Sequence, residues 1–208
     1  KRQQVIQKYF MDYLIAWLRR SFVSISPKFI LATGIGHEHI EAYVDRHSYD
    51  VVLCREVKPL GTYGALVNVV NKKKVNGDIL VVNGDTIFDI DFEQVYEKYC
   101  SIRPTPLLIV KEAEADSRYG GYNEVNGILR VSTNTPRFIS MGAFFCNTSI
   151  IDLDRHEPRC EDSLQMLDED FLDRHLTRAY ILPRDVEFID IGIPTDLANS
   201  QVIIPSLF

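Results

Sequence analysis

The sequence predicts an α/β fold: a Rossmann-like, mixed, mainly parallel sheet flanked by helices, in a single domain. Three observations predict it. Short unbroken apolar runs alternate with helix-period segments through the first half of the chain. Those runs end in glycine- or aspartate-bearing turns, as the strands of open α/β sheets do where ligands bind. After residue 115 the alternation gives way to a hairpin and further strands, which adds an antiparallel part and a small acceptor region.

The elements follow in order. Phe10, Tyr13, Leu14, Trp17 and Leu18 recur at steps of three and four, so Tyr9 to Arg20 reads as an amphipathic helix. Arg19 and Arg20 close its last turn, where cations suit the helix dipole. Pro27 breaks the chain, and Phe29 to Thr33 is a strand ending at Gly34 and Gly36. His37 to Val44 is a helix and Val51 to Cys54 a strand. Leu60-Gly61-Thr62-Tyr63-Gly64-Ala65 is a glycine-containing turn that opens a helix over Ala65–Val70. Ile79 to Val82 has no polar break and reads as a strand buried on both faces. Asp91 is positioned to cap a helix to Cys100. Leu107 to Val110 is a strand. Asn126-Gly127 is the strongest short hairpin signal in the chain. A strand at Phe138 to Cys146, a helix over Ser163–Leu176, strands at Tyr180–Leu182 and Val186–Ile189, and a short helix over Asp196–Val202 complete the reading.

Composition narrows the function. The chain has 208 residues, enough for one sizeable core. A net charge of -6 offers no basic stripe for a nucleic acid backbone. The apolar runs are well short of the roughly 18 residues a membrane helix needs, and no signal peptide is read. Cys54, Cys100, Cys146 and Cys160 have no C-x-x-C spacing, which points to reduced, mostly buried thiols in a cytoplasmic protein.

The chemistry concentrates at two strand ends. Asn83-Gly84-Asp85 follows one apolar run and Asp190-Ile191-Gly192 follows another. A carboxylate at such a position is a good hard-cation ligand, and two of them could meet over one metal. Each could instead be an ordinary turn former. Burying Asp190 inside Phe-Ile-Asp-Ile-Gly without a partner would be costly. Gly61 and Gly64 would let the backbone approach a planar or phosphorylated ligand. Asp89-Ile90-Asp91 is either a D-x-D metal motif or a helix start. The histidines form no catalytic or zinc constellation.

Taken in order, several segments resemble the sugar-nucleotide pyrophosphorylases, or nucleotidyltransferases. They are Pro59-Leu60-Gly61-Thr62-x-Gly64-Ala65, Val81-Val82-Asn83-Gly84-Asp85-Thr86, Arg118-Tyr119-Gly120, Ile139-x-Met141-Gly142, Asp168 to Leu172, and Phe188 to Leu197. The likeness runs from about residue 8 to residue 201. The Phe-Ile-Asp-Ile-Gly-Ile-Pro ending is similar to the subgroup that activates a heptose 1-phosphate with GTP.

The resemblance implies a nucleotide-diphospho-sugar transferase fold with a small sugar-binding subregion. It implies joining of a sugar 1-phosphate to a nucleoside triphosphate, giving an NDP-sugar and pyrophosphate for cell-surface polysaccharide synthesis. It assigns Asp85 and Asp190 to Mg²⁺ and to catalysis. It assigns Leu60, Gly61, Thr62, Gly64, Ala65, Asn83 and Gly84 to the nucleotide, and Gly120, Met141 and Gly142 to the sugar. Residues 1–208 are read as one nucleotidyltransferase domain without the family's first strand and glycine-rich loop, and without its usual Glu-Lys pair near Arg130–Arg137. A homo-oligomer is compatible with the apolar end Val202 to Phe208. A non-catalytic nucleotide-sugar-binding relative, and a glycosyltransferase of similar architecture using Asp89 and Asp91, are the alternative readings.

Overall fold

The computed structural model of the chain describes residues 9–113, 121–132, 134–153, 169–192 and 204. Ten strands and five α-helices occur among them. In chain order they are α1 (Phe10–Arg20), β1 (Ile30–Thr33), α2 (His37–His47), β2 (Val52–Arg55), α3 (Gly61–Lys73), β3 (Asp78–Val82), β4 (Thr86–Phe88), α4 (Phe92–Cys100), β5 (Leu107–Glu112), β6 (Gly121–Val125), β7 (Ile128–Ser132), β8 (Phe138–Asn147), α5 (Glu169–His175), β9 (Arg178–Ile181) and β10 (Phe188–Asp190).

The central sheet runs β7-β6-β8-β5-β9, and β3 pairs with β8. Period-two alternation along its strands feeds two cores, one on each face. Leu108 and Val110 of β5, with Phe144 and Cys146 of β8, face Leu66, Val67 and Val70 of α3 and Phe171 and Leu172 of α5. Leu107 and Ile109, with Ala143 and Phe145, face Leu14 and Trp17 of α1 and Phe92, Val95 and Tyr99 of α4. The result is helices on both sides of one sheet. The second core is aromatic. Trp17 meets Phe88 and Phe92 at centroid distances of 5.2 and 5.3 Å, and Tyr99 stacks on Phe145 at 5.7 Å. Each such pair is worth about 0.5–1.5 kcal/mol beyond the area it buries.

Local signals hold where they were strongest. Asn126 and Gly127 both adopt positive φ (54° and 79°), the geometry of a tight hairpin turn, and join β6 to β7. Asp91 caps α4, accepting Glu93 N–H at 2.9 Å and Gln94 N–H at 3.1 Å. Cys54 and Cys146 are buried free thiols, and Cys100 is exposed. The helix expected over 163–176 is described from Glu169 only. The terminal helix expected over 196–202, and Cys160, lie outside the described residues.

Three expectations are corrected. Among the described residues the sheet is mixed but not mainly parallel: only β1–β2 and β5–β9 pair in parallel there, and the other pairings are antiparallel. β8 is the reason, since it inserts antiparallel between β3, β5 and β6. The apolar run Ile79–Val82 in β3 is half-buried at all four positions rather than buried on both faces. Its only strand partner among the described residues is β8, and β1–β2 forms a separate two-stranded sheet. Finally, α3 spans Gly61–Lys73, not Ala65–Val70. Gly61 (φ 66°) supplies a left-handed step straight into the helix, so the predicted turn is the helix's own first turn.

Candidate active site

The site is built at the carboxyl end of β3. Asn83 N–H donates to Gly142 O at 2.7 Å, which ties this strand end to β8. β8 bulges there. Between its pairings of Phe144 with Leu108 and Ser140 with Val110 it carries three residues, Met141 to Ala143, against one on β5. Gly142 makes the bulge possible, with φ 68°. A Cβ on it would lie 2.7 Å from Asn83 Nδ2, so the Asn83 amide packs directly on the glycine's bare face. Ser140 Oγ accepts Gly142 N–H at 3.0 Å and fixes the bulge. Bulges re-aim side chains beside active sites. The bulge brings Asn83, predicted for the nucleotide, against Gly142, predicted for the sugar. Met141 is buried in the core and contributes shape rather than an exposed contact.

The two predicted carboxylates also meet. β4 and β10 pair antiparallel with Thr86 opposite Asp190, and Ile191 N–H donates to Asp85 O at 2.9 Å. Gly192 sits between the acids. A Cβ there would be 2.9 Å from Asp190 Oδ1 and 3.6 Å from Asp85 Oδ2. Gly192 N–H donates to Asp190 Oδ1 at 2.7 Å, and Thr86 Oγ1 donates to Asp85 Oδ1 at 3.1 Å. Residues 105 positions apart thus share one small space that only glycine leaves open.

No group of three or more His, Cys, Asp or Glu side chains able to hold a metal occurs among the described residues. A pair of carboxylates still suits Mg²⁺, which keeps waters and is usually held by one or two carboxylates plus substrate phosphates. The donor set therefore fits the ion. Asp91 is committed to its cap, which leaves the D-x-D reading without its second ligand.

Leu60 precedes the first turn of α3. A Cβ on Gly64 would lie 2.9 Å from Leu60 Cβ, so the leucine folds back over the helix start. Thr62 and Ala65 lie on that first turn. Gly84 has open space where a Cβ would stand. Gly120, with Arg118 and Tyr119, lies outside the described residues. The sequence reading missed Ser140 and Gly192. Gly192 stood inside a recognised motif, so its role was available; that of Ser140 depends on the bulge in β8.

Strand ends carrying two convergent carboxylates, in an α/β fold that also has a glycine-bearing helix start, fit a nucleotide-handling protein. Residues 28–205 match the profile of the family described as Nucleotidyl transferase, and the chain belongs to that family. It is 27% identical over 200 residues to the D-glycero-alpha-D-manno-heptose 1-phosphate guanylyltransferase of Aneurinibacillus thermoaerophilus, covering 93% of this chain and 84% of the relative. It is also 27% identical to the enzyme of the same name from Campylobacter jejuni, over 91% and 83% of the two chains. Among solved structures, HddC from Yersinia pseudotuberculosis complexed with GMP-PN shares the fold at TM-score 0.71 and 22% identity, covering 95% of this chain and 86% of that one.

Proposed function

We propose that the protein transfers a guanylyl group from GTP to a heptose 1-phosphate, or a related hexose 1-phosphate, and releases pyrophosphate. The observation that carries this reading is the convergence of Asp85 and Asp190 on Gly192. The names of the two relatives at 27% identity support the choice of base and sugar.

A phosphate oxygen of the sugar 1-phosphate attacks the α-phosphorus and forms the new P–O bond. The bond from that phosphorus to the bridging oxygen breaks, and pyrophosphate leaves with the electron pair. Such a transfer needs positioning and charge neutralisation rather than a covalent intermediate. Mg²⁺ held by Asp85 and Asp190 would supply the neutralisation. Thr86 and the Gly192 N–H orient the two carboxylates. The Leu60–Ala65 segment, Asn83 and Gly84 line the nucleotide side; the Met141-Gly142 bulge shapes the sugar side. No helix among the described residues is long and apolar enough to cross a membrane. We place the reaction in the cytoplasm, where its triphosphate substrate is available.

The test is pyrophosphate release with four nucleoside triphosphates and a panel of sugar 1-phosphates, with Mg²⁺. GTP with a heptose 1-phosphate should turn over fastest. Turnover only with another base would overturn the guanylyl assignment, and NDP-sugar consumption without pyrophosphate dependence would point to a glycosyltransferase.

A further inference from the structure

β10 carries Asp190 on a strand of three residues, and its only strand partner among the described residues is β4. A two-stranded ribbon is marginal on its own, so where Asp190 stands depends on what holds β10 from outside. The segment is tied on both sides. Past its end, Ile191 N–H donates to Asp85 O at 2.9 Å. Before its start, Lys111 of β5 donates its ammonium to Val186 O at 2.6 Å, four positions ahead of Asp190. The chain reaches that point by a turn. Leu182 N–H closes β9 on Val110 O at 2.8 Å, and Val186 N–H bonds back to Pro183 O at 3.2 Å.

Lys111 follows Leu107 and Ile109 on the same face of β5. Those two lie in the aromatic core, which Val186 and Phe188 border, and Lys111 stands half-buried at its rim. Its ammonium is 5.9 Å from the centre of the Phe188 ring. The Val186 carbonyl and that ring are its partners, and no carboxylate pairs with it among the described residues. A hydrogen bond from an ammonium is roughly twice as strong as one between neutral groups. A second contact reaches the same turn, Arg184 with Glu112, but that arginine is 84% exposed and such pairs contribute little. The hold on the start of β10 therefore falls to Lys111.

We propose that Lys111 is a positioning residue for metal binding: by holding Val186 it keeps Asp190 set against Asp85, so that both carboxylates meet one divalent cation. This inference rests on the nucleotidyl-transfer reading above and on its assignment of the two acids to Mg²⁺. Two carboxylates brought together repel, so their spacing has to be enforced by the backbone that carries them. Mg²⁺ demands near-ideal octahedral geometry, and a small shift of one ligand weakens its binding. Lys111 acts through the chain from Val186 to Asp190. β5 thereby supports both halves of the site. Val110 pairs with Ser140, whose hydroxyl fixes the Gly142 bulge, and the next residue, Lys111, holds β10.

The experiment compares the whole protein with Lys111→Met and Lys111→Arg by two measurements. Amide hydrogen–deuterium exchange, without metal or substrate, reads the hold on β10. In Lys111→Met, residues 186–192 should exchange about tenfold faster, the worth of one hydrogen bond to a charged group, while α4 and β5 stay as they are. Titration of pyrophosphate release with Mg²⁺ reads the consequence. Half-maximal release should need about tenfold more Mg²⁺, with kcat at saturating Mg²⁺ within about threefold of native. A merely structural defect would lower kcat and leave the Mg²⁺ requirement where it was. Lys111→Arg, which keeps a charged donor, should bring both readings back toward native. Should Lys111→Met fail to fold, Lys111→Gln, a shorter and uncharged donor, takes its place. Native exchange over 186–192, or an unaltered Mg²⁺ requirement, would overturn the role of Lys111 and leave nucleotidyl transfer standing. Release by the native protein that ignores Mg²⁺ would overturn the metal reading, and this inference with it.

Discussion

β3 carries one aspartate at its start and the chain another three residues past its end, and the two are treated in opposite ways. Asp78 is saturated. Arg103 pairs with it at 2.9 Å, Tyr96 and Tyr99 donate to it at 3.0 and 3.3 Å, and Asn147 donates at 2.8 Å. The tyrosine hydroxyls show the effect, since burial and the neighbouring carboxylate push Tyr96 up to about 12. Asp85 has the Thr86 hydroxyl on one oxygen and faces Asp190 across Gly192. A carboxylate wrapped by the protein's own donors joins α4, β3 and β8. A carboxylate placed against a second one is arranged for a positive ligand.

The comparison makes graded predictions. The largest effect belongs to the open end: Asp85→Asn or Asp190→Asn should lower kcat by about 10²–10³-fold, in line with removal of a group that stabilises developing charge. Thermal unfolding should change little in either variant, and a large destabilisation would mean the acids are structural. Next, Asp78→Ala should cost about 2–4 kcal/mol of stability in denaturant titration, because it strands Arg103 and Asn147. Its kcat should stay at the native value; a hundredfold loss would erase the distinction between the two ends.

Gly142→Ala tests the bulge between them. The left-handed backbone and the Asn83 contact should together cost about 1–3 kcal/mol and lower kcat/KM for the sugar phosphate. Native kinetics would detach the bulge from the site. Removing the Asp91 cap in Asp91→Ala should cost about 1 kcal/mol and leave turnover intact, which also checks that no metal depends on it.

The smallest effect is a pH dependence at Asp12. Burial works to raise the Asp12 carboxyl, but hydrogen bonds from Tyr49, Tyr43 and the Tyr9 N–H outweigh it and hold the pKa below the ordinary 3.8. The folded state therefore binds this proton less readily than the unfolded chain. Its stabilisation is full above 3.8 and disappears as pH falls through the lower folded value. Asp12→Asn should flatten the acid limb of a stability–pH curve below about pH 4; an unchanged limb would contradict the assignment.

Much of the site could be read from the sequence because its signals are local. Asn83-Gly84-Asp85 and Asp190-Ile191-Gly192 end apolar runs, and the structure brings those two ends together. The Asn126-Gly127 turn and the Asp91 cap are likewise short-range chemistry. What the sequence hid was non-local. Nothing in Ile79–Val82 tells that β3 is paired on one edge only among the described residues, since burial depends on a neighbour far along the chain. The bulge at Met141–Ala143 is a mismatch of lengths between β8 and β5, invisible within either strand alone. The carboxylate of Glu56 lies over Gly34, 22 residues away in sequence, a contact visible only once β1 and β2 lie side by side.

Pyrophosphate release from GTP and a heptose 1-phosphate, in Mg²⁺, by the native protein beside Asp85→Asn and Asp78→Asn tests the central claim most directly. The account predicts robust release by the native protein and the Asp78 variant, and loss of about two to three orders of magnitude in the Asp85 variant. Equal release by the Asp85 and Asp78 variants would contradict it.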